Sequence, residues 1–166
     1  TTLAPVVDQL SQTAPNFDQL PTIRPSVELE SLRLRTERHA KEQGRTPVIF
    51  LAPLGPTGPR SARATFARNF FGVAGFEIIE NIRFESPDAA VESAQEANAD
   101  VVVLCSADRE YPALVPALRS GLQSLDSPPL LVIAGNPENL DDVSADDFIH
   151  RGSPLLDTLE RFQRRL

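Results

Sequence analysis

The chain has 166 residues, 41% of them hydrophobic and 23% charged, a composition expected of one folded domain with a core of its own plus an extension. Sixteen basic against 23 acidic side chains leave a net charge of −7, which argues against general affinity for nucleic acid or an anionic membrane. No apolar run approaches the roughly 20 residues that span a bilayer. No charged-then-apolar leader opens the chain, and the single cysteine, Cys105, can form no internal disulfide, so the expected setting is a reducing cytoplasm.

Residues 1–25, "TTLAPVVDQLSQTAPNFDQLPTIRP", are interrupted by four prolines and hold no helical or strand period. They read as an extended arm or linker, with a disordered tail as the alternative. Val6, Val7, Leu10, Phe17, Leu20 and Ile23 recur through it. A solvated tail has no need of them, which favours docking on another surface. Methionine is absent even at position 1, which points to a piece of a longer chain.

Residues 26–46 form the second unit. "SVELESLRLRTERHAKEQ" (26–43) is rich in helix formers. Ser26 is placed to cap it and Gly44 to end it. Its dense mixed charges predict a solvent-facing connector helix.

From residue 47 to 166 apolar runs alternate with helical patterns. "VIFLA" (48–52), "FEIIENIRF" (76–84), "DVVVLCS" (100–106), "LLVIAG" (130–135) and "DFIH" (147–150) read as strands. Between them, Ala62, Phe66, Phe70 and Val73 mark one helix face, closed by Gly75. Ser86 and Pro87 form a cap and first turn ahead of Ala90, Val91, Ala94 and Ala97. Tyr111, Leu114, Val115, Leu118, Leu122 and Leu125 make the clearest stripe, with Pro116 expected to delay or bend the helix. "NPENLDDV" allows a short helix. Ser153 and Pro154 are a second cap pair, before Leu155, Leu159, Phe162 and Leu166.

Five βα units predict an α/β, flavodoxin-like, doubly wound sheet of five parallel strands in the order 2-1-3-4-5. A receiver domain and a half-Rossmann domain share the pattern. In such a sheet the ligand crevice lies beyond the carboxyl ends of the first and third strands. "PLGPTGPRS" (53–61), "SADREY" (106–111) and "GNPEN" (135–139) are expected to meet there.

Little chemistry is found at that junction. Pro53 and Leu54 follow the first strand and Ser106 ends the third, so the acids of a receiver domain are missing. "LGPTGPRS" lacks the GK[ST] ending of a P-loop, and Gly55 and Gly58 do not fit GxGxxG. Glycines ahead of helix amides, with Arg60 or Arg63, could cradle an anion, but a tight turn with solvated arginines is the favoured reading. Cys105 reads as a buried small hydrophobe. His39 and His150 lack partners at ligand spacing, so no metal site is expected. Asp108, Arg109 and Glu110 suit either a polar rim or a helix start. No nucleophile–base or acid–base pair can be assembled, so no catalytic residue is assigned.

The order "VIFLAPLG…ARATFARNFF…GFE", "ADVVVLCSAD", "LLVIAG" and "DDFIHRGSPLLDTL" resembles the C-terminal domain of methylmalonyl-CoA mutase over about residues 24–166. The likeness is greatest to the small, non-catalytic subunit of the two-chain bacterial enzyme. The resemblance implies a barrel-like domain upstream, with residues 11–25 as linker. It also implies a fold that, in the large subunit, binds cobalamin through DxHxxG after the first strand, a serine ending the third and a glycine pair ending the fourth.

Against that pattern, Thr57 stands at the aspartate, Pro59 or Arg60 at the histidine, and Ser61 or Ala62 at the final glycine. Proline has no donor atom and arginine stays protonated, so neither ligates cobalt. Ser106 is retained, and Gly135 matches one glycine, with Asn136 at the other. The implied vestigial pocket is Gly55, Thr57, Gly58, Pro59, Arg60, Ser106 and Gly135, crowded by the bulk of Thr57 and Pro59, with no confident cofactor-binding residue. By resemblance, the chain supports the large subunit as a heterodimer while adenosylcobalamin stays with that partner, and the whole enzyme interconverts methylmalonyl-CoA and succinyl-CoA. The alternatives are a corrinoid- or nucleotide-binding module without histidine ligation, and a stand-alone flavodoxin-like interaction domain.

Overall fold

The computed structural model describes residues 24–166, so the arm expected over 1–25 lies almost wholly outside the described residues. The described chain begins already helical in α1 (Arg24–Gln43), so Ser26 stands inside the first turns and is no cap. Gly44, at φ +76°, ends the helix in the left-handed conformation that glycine adopts without strain.

Five strands follow: β1 (Val48–Pro53), β2 (Glu77–Ile79), β3 (Val101–Cys105), β4 (Leu130–Ala134) and β5 (Asp147–Ile149). They form one parallel sheet in the order β2-β1-β3-β4-β5, as the alternating pattern predicts. Three helices cross between them, α2 (Thr57–Gly72), α3 (Pro87–Glu96) and α4 (Tyr111–Gln123), and α5 (Leu155–Arg165) follows β5.

Strand alternation divides the interior in two. Ile49, Leu51, Val101, Val103, Cys105, Val132 and Ala134 face the layer of α1, α2 and α5. Phe50, Ala52, Val102, Leu104, Leu131 and Ile133 face α3 and α4. Burial on both faces is why β1, β3 and β4 read as unbroken apolar runs.

Some elements differ from the sequence expectation. β2 is three residues long, not nine, and Ile82 beyond it is 89% exposed. The chain turns away after Ile79, and the Phe84 amide then bonds the Pro53 carbonyl at 2.9 Å. α2 starts at Thr57, so half of the expected "PLGPTGPRS" loop is its first turn. Pro59 is tolerated there because first-turn amides have no helical partner. Its inward face is Ala67, Phe70 and Phe71, while Ala62 is exposed. α4 starts at Tyr111 and runs through Pro116, whose own side chain is exposed. "NPENLDDV" yields one 3-10 turn, Pro137–Asn139. Ser86 caps α3 by accepting from the Ala89 amide at 3.2 Å, as expected. Ser153 instead accepts from the His150 amide at 3.0 Å and closes the turn before α5.

α1 is docked rather than solvent-facing throughout. Leu32 is fully buried and Thr36 nearly so. The Gln163 amide group on α5 donates to the Leu32 carbonyl at 2.7 Å and to Thr36 Oγ1 at 2.9 Å. Arg35 pairs with Glu160 at 2.8 Å.

Candidate functional site

The strand order reverses between β1 and β3, and the crevice rule points to their carboxyl ends. Above them, Gly55 sits at φ +81°. A Cβ at Gly55 would lie 2.6 Å from Ser106 Oγ, so glycine is required there by backbone and by space alike. Ser106 is fully buried, and among the described residues its hydroxyl has no hydrogen-bond partner. Arg60 reaches back over the loop and donates to the Gly55 carbonyl at 2.6 Å. Thr57, Gly58 and Pro59 stand exposed on the first turn of α2, so they do not crowd the space beneath.

The space between the ends of β3 and β4 is filled from elsewhere. The last paired residues of these strands are Leu104 and Ile133. Just beyond, the main-chain groups of Ser106 and Ala134 need other partners, because buried backbone groups are rarely left unpaired. Tyr111, the first residue of α4, supplies them. Its hydroxyl donates to the Ala134 carbonyl at 2.7 Å, with the Ser106 carbonyl 3.0 Å away. It accepts from the Ser106 amide at 3.1 Å and from Arg63 Nη1 at 3.0 Å.

Arg63 projects from α2 over the same ring, its guanidinium carbon 5.5 Å from the centroid. It also donates to the Ala134 carbonyl at 2.9 Å and pairs with Asp108 at 2.6 Å. A Cβ on Gly135 would lie 3.1 Å from Arg63 Nη1 and 3.2 Å from Tyr111 Cε2. Gly135 is therefore packed against these two side chains.

The electrostatics keep this cluster neutral overall. Burial pushes the Tyr111 phenol up to about 12, partly offset by its bonds to Arg63 and the Ser106 backbone. Burial likewise pushes the Cys105 thiol up to about 12. Burial pulls the Arg63 guanidinium down, but Asp108 and Tyr111 outweigh it and hold the group above its ordinary value. At neutral pH the phenol and thiol are both protonated, so neither is poised as a base or nucleophile. What the cluster does is join the ends of β3 and β4 to α2 and α4.

Of the residues predicted for the site, the structure brings Gly55 against Ser106, and sets Gly135 on the other side of Tyr111. Asn136 does not line the space; its side chain caps the next turn by accepting from the Glu138 amide at 3.1 Å. His39 lies on α1, and His150 Nδ1 accepts from the Gly152 amide at 3.1 Å. Among the described residues, no group of three or more His, Cys, Asp or Glu is placed to hold a metal ion. None of their helices is long and apolar enough to cross a membrane. Sequence reasoning missed the role of Tyr111, which it took for part of an apolar stripe. The available signal was a tyrosine, the only one in the chain, six residues beyond the end of a buried strand.

No family model matches the chain. It is 39% identical over 142 residues to a methylmalonyl-CoA mutase small subunit of Porphyromonas gingivalis, covering 84% of this chain and 22% of that one. It is 30% identical over 113 residues to a methylmalonyl-CoA mutase large subunit of Propionibacterium freudenreichii subsp. shermanii, covering 68% of this chain and 15% of that one. The chain thus spans about a fifth or less of the length of these curated relatives. Its fold is similar to that of a solved cobalamin-binding protein from Desulfitobacterium hafniense DCB-2, at a TM-score of 0.50 and 18% identity over 85% of this chain and 70% of that one.

Proposed function

Since the chain is a homologue of methylmalonyl-CoA mutase small subunits, we propose that it is a non-catalytic, cobalamin-binding-like domain that supports assembly with the large subunit of the mutase. In this reading the adenosylcobalamin-dependent interconversion of methylmalonyl-CoA and succinyl-CoA takes place in the large subunit. This domain contributes packing surface to the heterodimer. The observation that carries the reading is the Tyr111–Arg63 pair packed against Gly135.

The residues present do not fit cobalamin. The exposed first turn of α2 offers Thr57, Gly58 and Pro59, none of which carries a nitrogen ligand for cobalt. Arg60 is committed to the Gly55 carbonyl. The space below, where a buried nucleotide tail would go, holds a phenol whose hydroxyl and a guanidinium whose Nη1 are already bonded to the chain. A tail could enter only by displacing them and leaving the Ser106 and Ala134 main-chain groups unpaired, at about 1–3 kcal/mol for each buried group. No step of the reaction is assigned to this chain.

Two experiments test the reading. Gel filtration with hydroxocobalamin or adenosylcobalamin should separate the corrinoid from the protein; a corrinoid that co-elutes contradicts the proposal. Co-purification of the full small subunit with the large one should weaken when residues 47–166 are deleted; a complex of unchanged stability removes the supporting role.

A further inference from the structure

We infer that a cavity between α1 and α5, at the amino ends of the strands, binds a small organic carboxylate with a flat apolar body. This goes beyond the proposed function and does not depend on it.

The cavity has a volume of about 210 Å³. An apolar cavity of about 150 Å³ holds benzene, so this space suits a ring with one substituent. Pro47, which precedes β1, and Phe76, which precedes β2, line it from the sheet. Leu166, just past α5, adds apolar surface. The crevice over Gly55 lies at the opposite, carboxyl ends of the same strands, so the two places are separate.

The polar side of the cavity is formed by His39 of α1 and Arg164 of α5. Both are uncommitted where their counterparts are engaged. Arg161 and Arg165, on the same helix as Arg164, pair with Asp147 at 2.9 and 3.8 Å. His150 Nδ1 accepts from the Gly152 amide. Arg164 and His39 make no hydrogen bond or close ion pair among the described residues. A basic residue in the last turn of a helix offsets the carbonyl end, but that role leaves its N–H donors unused. Glu160, the one acid among the described lining residues, is already paired with Arg35 at 2.8 Å. What is left over is a guanidinium and an imidazole N–H, donors that match the two oxygens of a carboxylate.

The walls are already fixed. The Gln163 amide group on α5 bonds the Leu32 carbonyl and Thr36 Oγ1 on α1, and the Arg35–Glu160 pair joins the same two helices. A ligand entering between them costs little further ordering of the protein.

Benzoate is the probe, with benzamide as its uncharged control. The chain has two histidines, so His39 reports from the cavity and His150 from outside it. In NMR spectra of the full chain at fixed pH and ionic strength, benzoate should move the His39 imidazole signals along a saturating curve and leave those of His150 in place. The His39 signals are identified by their loss in His39→Gln. Arg164 is exposed, so Arg164→Gln should fold, and loss of a charged hydrogen-bond partner should weaken benzoate about tenfold or more. Benzamide should be weaker by a similar factor. A His39 shift that is absent, that does not saturate or that His150 shares overturns the inference. So does benzoate binding that Arg164→Gln leaves unchanged, or benzamide binding as tight as benzoate. If Arg164→Gln does not fold, the comparison of benzoate with benzamide decides.

Discussion

The first turn of α2 and the floor between β3 and β4 are neighbours, and in the proposed reading they depart from a binding site in opposite ways. Thr57, Gly58 and Pro59 are exposed, and the turn is left without donors. Tyr111, Ser106 and Gly135 are buried, and the floor is filled. Exposed positions can change with little effect on folding, so ligand atoms are readily lost from the turn. A buried space cannot simply be vacated, because each Å³ of residual cavity costs about 24 cal/mol. In this protein the filling comes from α2 and α4, whose side chains also satisfy the main-chain groups left over where β3 and β4 part.

Substitutions at the two places should therefore differ sharply in effect. Tyr111→Ala removes a fully buried ring and its bonds together, and should cost about 3–5 kcal/mol in denaturant unfolding. Tyr111→Phe keeps the ring and orphans the Ser106 amide, while the Ala134 carbonyl keeps its bond from Arg63, at about 1–3 kcal/mol. Gly55→Ala should cost about 1–2 kcal/mol from its positive φ and the contact with Ser106 Oγ. Adding Ser106→Ala should recover the contact part, since those residues are neighbours and that hydroxyl has no partner among the described residues to lose. Thr57→Asp with Pro59→His restores donors to the exposed turn. It should change stability by less than about 0.5 kcal/mol and still give no corrinoid binding by gel filtration. Binding gained by those two changes alone would show the floor to be open.

The alkaline limit carries the same contrast. The folded state raises Tyr111 from 10.0 to about 12 and Cys105 from 9.0 to about 12. Both groups therefore favour folding fully below the unfolded values, and that contribution is lost as pH rises toward 12. Unfolding midpoints should be level near neutrality and fall from about pH 9 upward. Tyr111→Phe should remove the part that begins near pH 10.

The sheet was legible because β1, β3 and β4 are buried on both faces and carry unbroken apolar runs. β2 was read too long because "FEIIENIRF" keeps a partial alternation after the chain has turned away, leaving Ile82 in solvent. The start of α2 was hidden because Gly58 and Pro59, poor residues for a helix interior, are harmless in a first turn. At the site, Gly55, Ser106 and Gly135 could be read from their places at strand ends. The filling could not: periodicity reports that Tyr111 is buried but not which carbonyl its hydroxyl meets. Arg63 read as solvated because its partners, Ala134 and Asp108, lie far away in sequence.

The most direct test is the ionisation of the chain's only tyrosine, followed at 295 nm in a protein that has no tryptophan to interfere. A floor closed by Tyr111 predicts a phenol that stays protonated past pH 10 and ionises near 12, or only as the domain unfolds. Half-ionisation at about pH 10 with the fold intact, the ordinary value for a phenol in water, would mean an open slot and would contradict the account.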